Sequence, residues 1–210
     1  MILNVYKPKG WTSFDVVAKL RGILHTRKIG HAGTLDPLAE GVLIVLTEKD
    51  TKKQDDYMHQ EKEYIADIAL GLDSDSYDLE TELRPVSILM KDNLNEYIGK
   101  LNQTVPPYSA VKVKGAKLYK AARKGTLNKD ILPTKSVEIF DIEKVGEYIK
   151  DFGEFKNTKV LKIRISCSSG FYVRSFAHDI GGVLAGLLRT KVGEFKVEDS
   201  KALSDVTLDI

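Results

Sequence analysis

Hydrophobic positions in this chain switch between a strand period of two and a helical period near 3.6, and the switches outline its elements. Residues 2–6 read as a short strand that Lys7-Pro8-Lys9-Gly10 breaks. Phe14, Val17, Leu20 and Leu24 recur at helical spacing, with Thr12 or Ser13 available as the cap. A glycine-punctuated loop over 30–41 leads into the continuous apolar strand 42–47. A helical candidate follows at 52–60, then an alternating strand at 63–70. Beyond an acidic turn region, 93–101 reads as helical, and Pro106-Pro107 halts any regular element. Residues 117–124 predict a short helix stopped by Gly125. Segments 137–145 and 160–167 read as paired strands, with Asp151-Phe152-Gly153 a candidate hairpin loop in the charged connection between them. Val173, Ala177, Ile180 and Leu184 return to helical spacing, and a last strand is expected near 188–197.

Intermixed strands and helices with several adjacent strand pairs imply an α+β fold, a mixed or antiparallel central sheet with flanking helices. No internal repeat, low-complexity tract or long linker interrupts the pattern. Residues 1–210 therefore read as one domain, with about 104–133 as a protruding insertion.

Composition narrows the class. A chain of 210 residues, 42% hydrophobic and 30% charged, can bury a core without disulfide staples. Cys167 is the single cysteine, no export leader is visible, and no apolar run approaches the roughly 18 residues of a membrane helix. A cytoplasmic protein without a membrane partner is expected. The net charge is only +2, but the basic charge is segregated. No acid lies between Tyr97 and Lys129, where Lys100, Lys112, Lys114, Lys117, Lys120, Arg123 and Lys124 accompany Tyr108 and Tyr119. Such a stripe suits an RNA backbone with stacked bases, and equally a solvated helix face.

One loop could carry chemistry. In Gly30-His31-Ala32-Gly33-Thr34-Leu35-Asp36-Pro37-Leu38-Ala39-Glu40-Gly41, glycines and a proline surround a single carboxylate. Proline at 37 restricts Asp36 to extended angles, and glycine permits close approach of a ligand. Taken alone, Asp36-Pro37 reads more readily as the start of a turn. The histidines His25, His31, His59 and His178 lack ligand spacing, and there is no cysteine pair, phosphate loop or nucleophile elbow. No metal or cofactor is expected.

The segments Lys7 to Ser13, 30–41, Lys62-Glu63-Tyr64, Tyr108 through Arg123, Cys167 to Ser175 and 187–195, in that order, together resemble motifs of the TruB family of tRNA pseudouridine-55 synthases. Lys7-Pro8-Lys9-Gly10-Trp11-Thr12-Ser13 is similar to that family's KPxGxTS motif, and residues 30–41 to its catalytic GHTGTLDPLATG loop, with Ala32 and Glu40 differing. Lys62-Glu63-Tyr64 resembles the segment of the active-site tyrosine, and Tyr108 through Arg123 the RNA-gripping insertion. Cys167-Ser168-Ser169-Gly170-Phe171-Tyr172-Val173-Arg174-Ser175 resembles CSxGTYIRS, and residues 187–195 resemble LRRTRVGPF, with Leu188 where an arginine is expected.

The resemblance implies a pseudouridine synthase fold that isomerises a uridine in the tRNA T-loop without a cofactor. Asp36 would be the nucleophile, attacking at sugar or base, and the freed uracil would rotate and reattach through C5. Tyr64 would stack on the extruded uracil, Tyr172 and Leu187 would line the pocket, and Arg174 would pair with Asp36. His31 would help fill the gap left by the flipped nucleotide, with Lys7 and Pro8 bracing the loop from beneath. Lys112, Lys114, Lys117, Lys120 and Arg123 would hold T-arm phosphates. A monomer with no obligatory protein partner is expected. The chain stops at Ile210, so the C-terminal PUA domain usual in the family is expected to be absent. Two rivals stay open: a guide-RNA-dependent synthase of the same superfamily, and a tRNA-binding module that makes no product.

Overall fold

The computed structural model describes residues 1–91, 93–113, 115–128 and 131–207. In chain order the elements are β1 (Ile2–Lys7), α1 (Ser13–Ile23), β2 (Ile29–Ala32), β3 (Ala39–Thr47), α2 (Gln54–Met58), β4 (Lys62–Leu70), β5 (Leu72–Asp73) and β6 (Arg84–Pro85). They continue with β7 (Gly99–Thr104), β8 (Lys112–Val113), β9 (Ala116–Lys117), α3 (Leu118–Arg123), β10 (Thr134–Phe152), β11 (Phe155–Cys167), α4 (Val173–Asp179), β12 (Gly182–Val192) and β13 (Phe195–Lys196). Parallel and antiparallel pairings coexist, with helices alongside, so the fold is α+β. The backbone packs as two compact units, Met1–Ile65 with Gly186–Ile210, and Ala66–Ala185.

The first unit is organised on β3. Its apolar run is buried throughout because both faces of the strand are covered. Leu43 and Val45 pack with Val16, Val17 and Leu20 of α1, whereas Val42, Ile44 and Leu46 pack with Val192, Phe195 and Tyr57. Each such side chain contributes roughly 1.5–3 kcal/mol by leaving water. β1 and β2 pair antiparallel with β3, and β12 pairs parallel with it through Leu187↔Ala39, Leu188↔Glu40 and Arg189↔Gly41. Helix α1 opens with a capping box: Thr12 Oγ1 accepts from Asp15 N–H, and Asp15 accepts from Thr12 N–H. Thr12 is therefore the cap, which leaves the hydroxyl of Ser13 available for another task.

The second unit is built on a long hairpin. β10 and β11 pair from Ile139↔Cys167 out to Phe152↔Phe155, so the strands run through the charged connection, and the turn is confined to Gly153 and Glu154. The outer arms hold their register by main-chain bonds and cross-strand ion pairs such as Lys159–Glu147 at 3.0 Å and Arg164–Glu143 at 3.0 Å. β7 pairs antiparallel with the first part of β10.

Three sequence expectations change. Residues 93–101 were expected to be helical, but one 3-10 turn, Leu94–Tyr97, gives way to β7, because pairing Leu101 with Val137 outweighs local helical spacing. The spacing through Leu184 predicts a longer α4 than exists: the helix stops at Asp179, and Gly181 sits at φ +75°, where a Cβ would overlap the carbonyl of Ser87. Accordingly the last long strand starts at Gly182, six residues before the expected 188, and ends at Val192. The loop 30–41 also begins as a strand, since His31 pairs with Val45. Helix α3 matches the expected 117–124 closely and ends at Gly125, whose N–H bonds Ala122 O at 2.9 Å.

Candidate active site

In the first unit, three clamps hold the loop that carries Asp36. Ser13 Oγ accepts the N–H of Leu35 at 2.9 Å and donates to the Leu35 carbonyl at 3.2 Å, fixing both polar groups of the residue before Asp36. The residue after it is tied by Gly10 N–H, which donates to Pro37 O at 2.7 Å. A tight turn, Ala39 N–H to Asp36 O at 3.0 Å, then delivers the chain into β3. The third clamp is Arg189 of β12, only 1% exposed, whose Nε donates to Val42 O at 2.8 Å and Nη2 to Gly33 O at 3.2 Å. Gly41, at φ +105°, makes this possible, since a Cβ there would overlap the Arg189 carbonyl oxygen. Asp36 itself stays half-buried, with Thr34 and Pro37 exposed on either side.

Beneath the loop the electrostatics are unusual. Lys7 is fully buried, and its Nζ donates to Pro8 O at 3.0 Å and Trp11 O at 2.6 Å. Burial pushes its pKa down to about 8, partly opposed by the attraction of Asp36, with Arg189 pushing further down. Burial likewise holds the imidazole of His31 below its ordinary value, again assisted by Arg189. Tyr6 donates to Glu40 at 2.8 Å, and its phenol is pushed up to about 12, first by burial and then by that bond.

Lys7 makes stability depend on pH. The unfolded chain keeps the Lys7 proton up to about 10.5, whereas the folded chain releases it near 8, so the unfolded state binds more protons in that window and stability climbs with pH. The full difference is about 3 kcal/mol. Urea unfolding of the parent and Lys7→Met should show the parent gaining on the variant as pH rises from 8 towards 10.5. A constant gap across that range would contradict the assignment.

The expected pocket residues divide between the units. Asp36, His31, Tyr64 and Leu187 belong to the first. Tyr64 is buried on β4, and half-buried Leu187 stands opposite Ala39, at the end of the Asp36 loop.

Tyr172 and Arg174 belong to the second unit. Buried Gln103 of β7 clamps Tyr172, accepting its N–H at 2.9 Å and donating to its carbonyl at 3.1 Å, while Lys135 lies 5.7 Å from the ring centre. From the helix pattern alone, Arg174 reads as a surface charge on α4. It is instead 5% exposed, donating to Ser76 O and Tyr108 O at 3.0 Å each, with the Asp78 carboxylate at 3.7 Å.

Of the insertion cations, Lys112, Lys120 and Arg123 are exposed, and Arg123 already pairs with Glu80 at 2.9 Å. Lys114 lies outside the described residues, as does the side chain of Lys117.

Sequence reasoning missed Arg189, Ser13 as a loop clamp, Gln103 and Asp78. For Arg189 a signal existed: strand parity puts it on the same side of β12 as Leu187, so an arginine was headed inward. The others are polar residues whose partners lie from 22 to 96 positions away, beyond any local pattern.

Comparison with known proteins follows this geometry. The profile described as TruB family pseudouridylate synthase (N terminal domain) matches residues 21–173. A tRNA pseudouridine synthase B of Trichormus variabilis is 39% identical over 97% of this chain and 71% of its own length. The same enzyme of Bacteroides fragilis is 39% identical over 94% of this chain and 88% of its own length. Among solved structures, a Cbf5-Nop10-Gar1 complex superposes with a TM-score of 0.65 at 26% identity, covering 97% of this chain and 52% of the matched one. An H/ACA RNP bound to a substrate RNA containing 2′-deoxyuridine gives 0.64 at 25%, over 97% and 51%. The chain thus spans about half the length of those two solved proteins.

Proposed function

The chain belongs to the TruB family of pseudouridylate synthases, and we propose that it isomerises the uridine at position 55 in the tRNA T-loop with Asp36 as its nucleophile. The observation that carries the reading is the loop around Asp36, clamped on either side at Leu35 and Pro37 while Asp36 itself is only half-buried. A nucleophile must be ionised, and a carboxylate meets that condition at neutral pH without help.

Product and substrate are isomers, so nothing is consumed and no cofactor chemistry is called for. The carboxylate adds at sugar or base, the glycosidic bond to N1 breaks, the uracil turns, C5 bonds to the same ribose carbon, and the bond to the carboxylate breaks to release the enzyme. C5 gives up a proton and N1 gains one. The protein's task is mainly to keep a detached base in register, a problem of positioning. Tyr64 would stack on the base and assist the proton transfer at C5. Tyr172, Leu187 and Arg174 would bind the substrate. His31, whose charged form burial disfavours, would occupy the space vacated in the RNA, since extrusion costs roughly a few kcal/mol of stacking.

The exposed cations of the insertion would hold phosphates, which position RNA without reading its sequence. None of the described helices is long and apolar enough to cross a membrane. A monomer acting in the cytoplasm, without an obligatory protein partner, belongs to the same proposal.

The test is direct. The purified chain, given an unmodified tRNA transcript, should produce pseudouridine at position 55, mapped by carbodiimide modification and primer extension. A transcript left unmodified under saturating enzyme would reject the reading in favour of a module that only binds.

A further inference from the structure

We infer that Arg189 is a positioning residue for the proposed reaction: one buried guanidinium staples the two ends of the Asp36 loop, by hydrogen bonds to Gly33 O on entry and Val42 O on exit. The inference rests on Asp36 being the nucleophile, and it adds a residue with no contact to substrate. A loop of this kind can wander only if its ends separate. Gly33 precedes Asp36 by three residues and Val42 follows it by six, so a single planar group bridging both limits the loop at each end.

Arginine suits the task because its donors are rigidly forked, whereas an ammonium is a point charge that cannot hold both carbonyls in one plane. Its main chain contributes as well. Arg189 is the residue of β12 that pairs with Gly41, so the strand and its own side chain grip the same turn from two directions.

Arg189 is nearly fully enclosed, and its field reaches Lys7 and His31. Its two side-chain hydrogen bonds end on carbonyl oxygens, and burying a guanidinium against carbonyls alone is costly. A hydrophobic side chain would fill the volume at lower cost. The cation is best explained by what its geometry does for the loop.

Arg189→Lys and Arg189→Gln test this by two readouts. In hydrogen exchange, which needs no activity, the segment 30–41 should exchange at least about tenfold faster in both variants, with the β10–β11 hairpin unchanged. In single turnover at saturating enzyme, the rate should fall about 30- to 100-fold, while affinity for T-arm RNA stays within about threefold. Loss confined to RNA affinity, unchanged exchange of the loop, or a lysine variant with the parent's rate would overturn the proposal. Failure of both variants to fold would assign Arg189 a purely structural role and overturn it too. The exchange result stands even if the parent makes no pseudouridine, so collapse of the functional reading and collapse of this one are told apart.

Discussion

Asp36→Ala should form no pseudouridine, with single-turnover product at least about 10⁴-fold below the parent, and should still bind T-arm RNA within about threefold. Under the proposed mechanism the substitution removes the attacking oxygen, while the main-chain clamps of the loop stay in place. The bonds that hold residues 35–39 use the main chains of Leu35, Asp36, Pro37 and Ala39, together with the Ser13 hydroxyl, and all survive in alanine. Asp36→Asn is the companion variant, since an amide of the same shape keeps the packing and loses the nucleophile. Carbodiimide mapping combined with a binding isotherm separates chemistry from affinity. Product from either variant at more than a tenth of the parent's rate would remove Asp36 from the mechanism.

Arg174→Met should be the second most damaging change, lowering the single-turnover rate by more than about 100-fold and destabilising the protein by about 3 kcal/mol. Two effects combine. Arg174 is buried against Asp78, so deleting the cation leaves that buried carboxylate, which also accepts from Ser76 Oγ and Glu80 N–H, without its ion pair, a loss that typically costs about 3–5 kcal/mol and is set at the low end by those donors. It also ties Ser76 O to Tyr108 O, joining the acidic turn to the start of the basic insertion, so both segments should loosen. Arg174→Lys separates charge from geometry: it should recover much of the stability through the Asp78 pair and little of the rate, because an ammonium cannot reproduce the paired bonds to two carbonyls. A lysine variant with full activity would show that charge alone suffices. A methionine variant melting with the parent would refute the buried ion pair.

Legibility in the sequence followed the range of the interactions. β1, α1, β4 and α3 were readable because an alternating or helical stripe, a capping threonine and a stopping glycine lie within a few residues of one another. The apolar run 42–47 was readable as a strand, and its full burial follows from having α1 on one face and α2 with β13 on the other. Residues 93–101 misled because nine residues of helical spacing weigh less than a ladder offered by β10 more than thirty positions on. The end of α4 was written in Gly181-Gly182, although periodicity through Leu184 pointed past it.

The candidate site divides in the same way. Resemblance of the motifs, without any coordinates, singles out as candidates a carboxylate in a glycine-punctuated loop, a tyrosine on a strand and an arginine after a glycine. What holds them was decided only in three dimensions. Ser13 reaches Leu35, Gly10 reaches Pro37, Gln103 reaches Tyr172 and Arg189 reaches Gly33 across 156 positions. Those partners are chosen by sheet register and burial, which depend on the whole chain at once and leave no local trace.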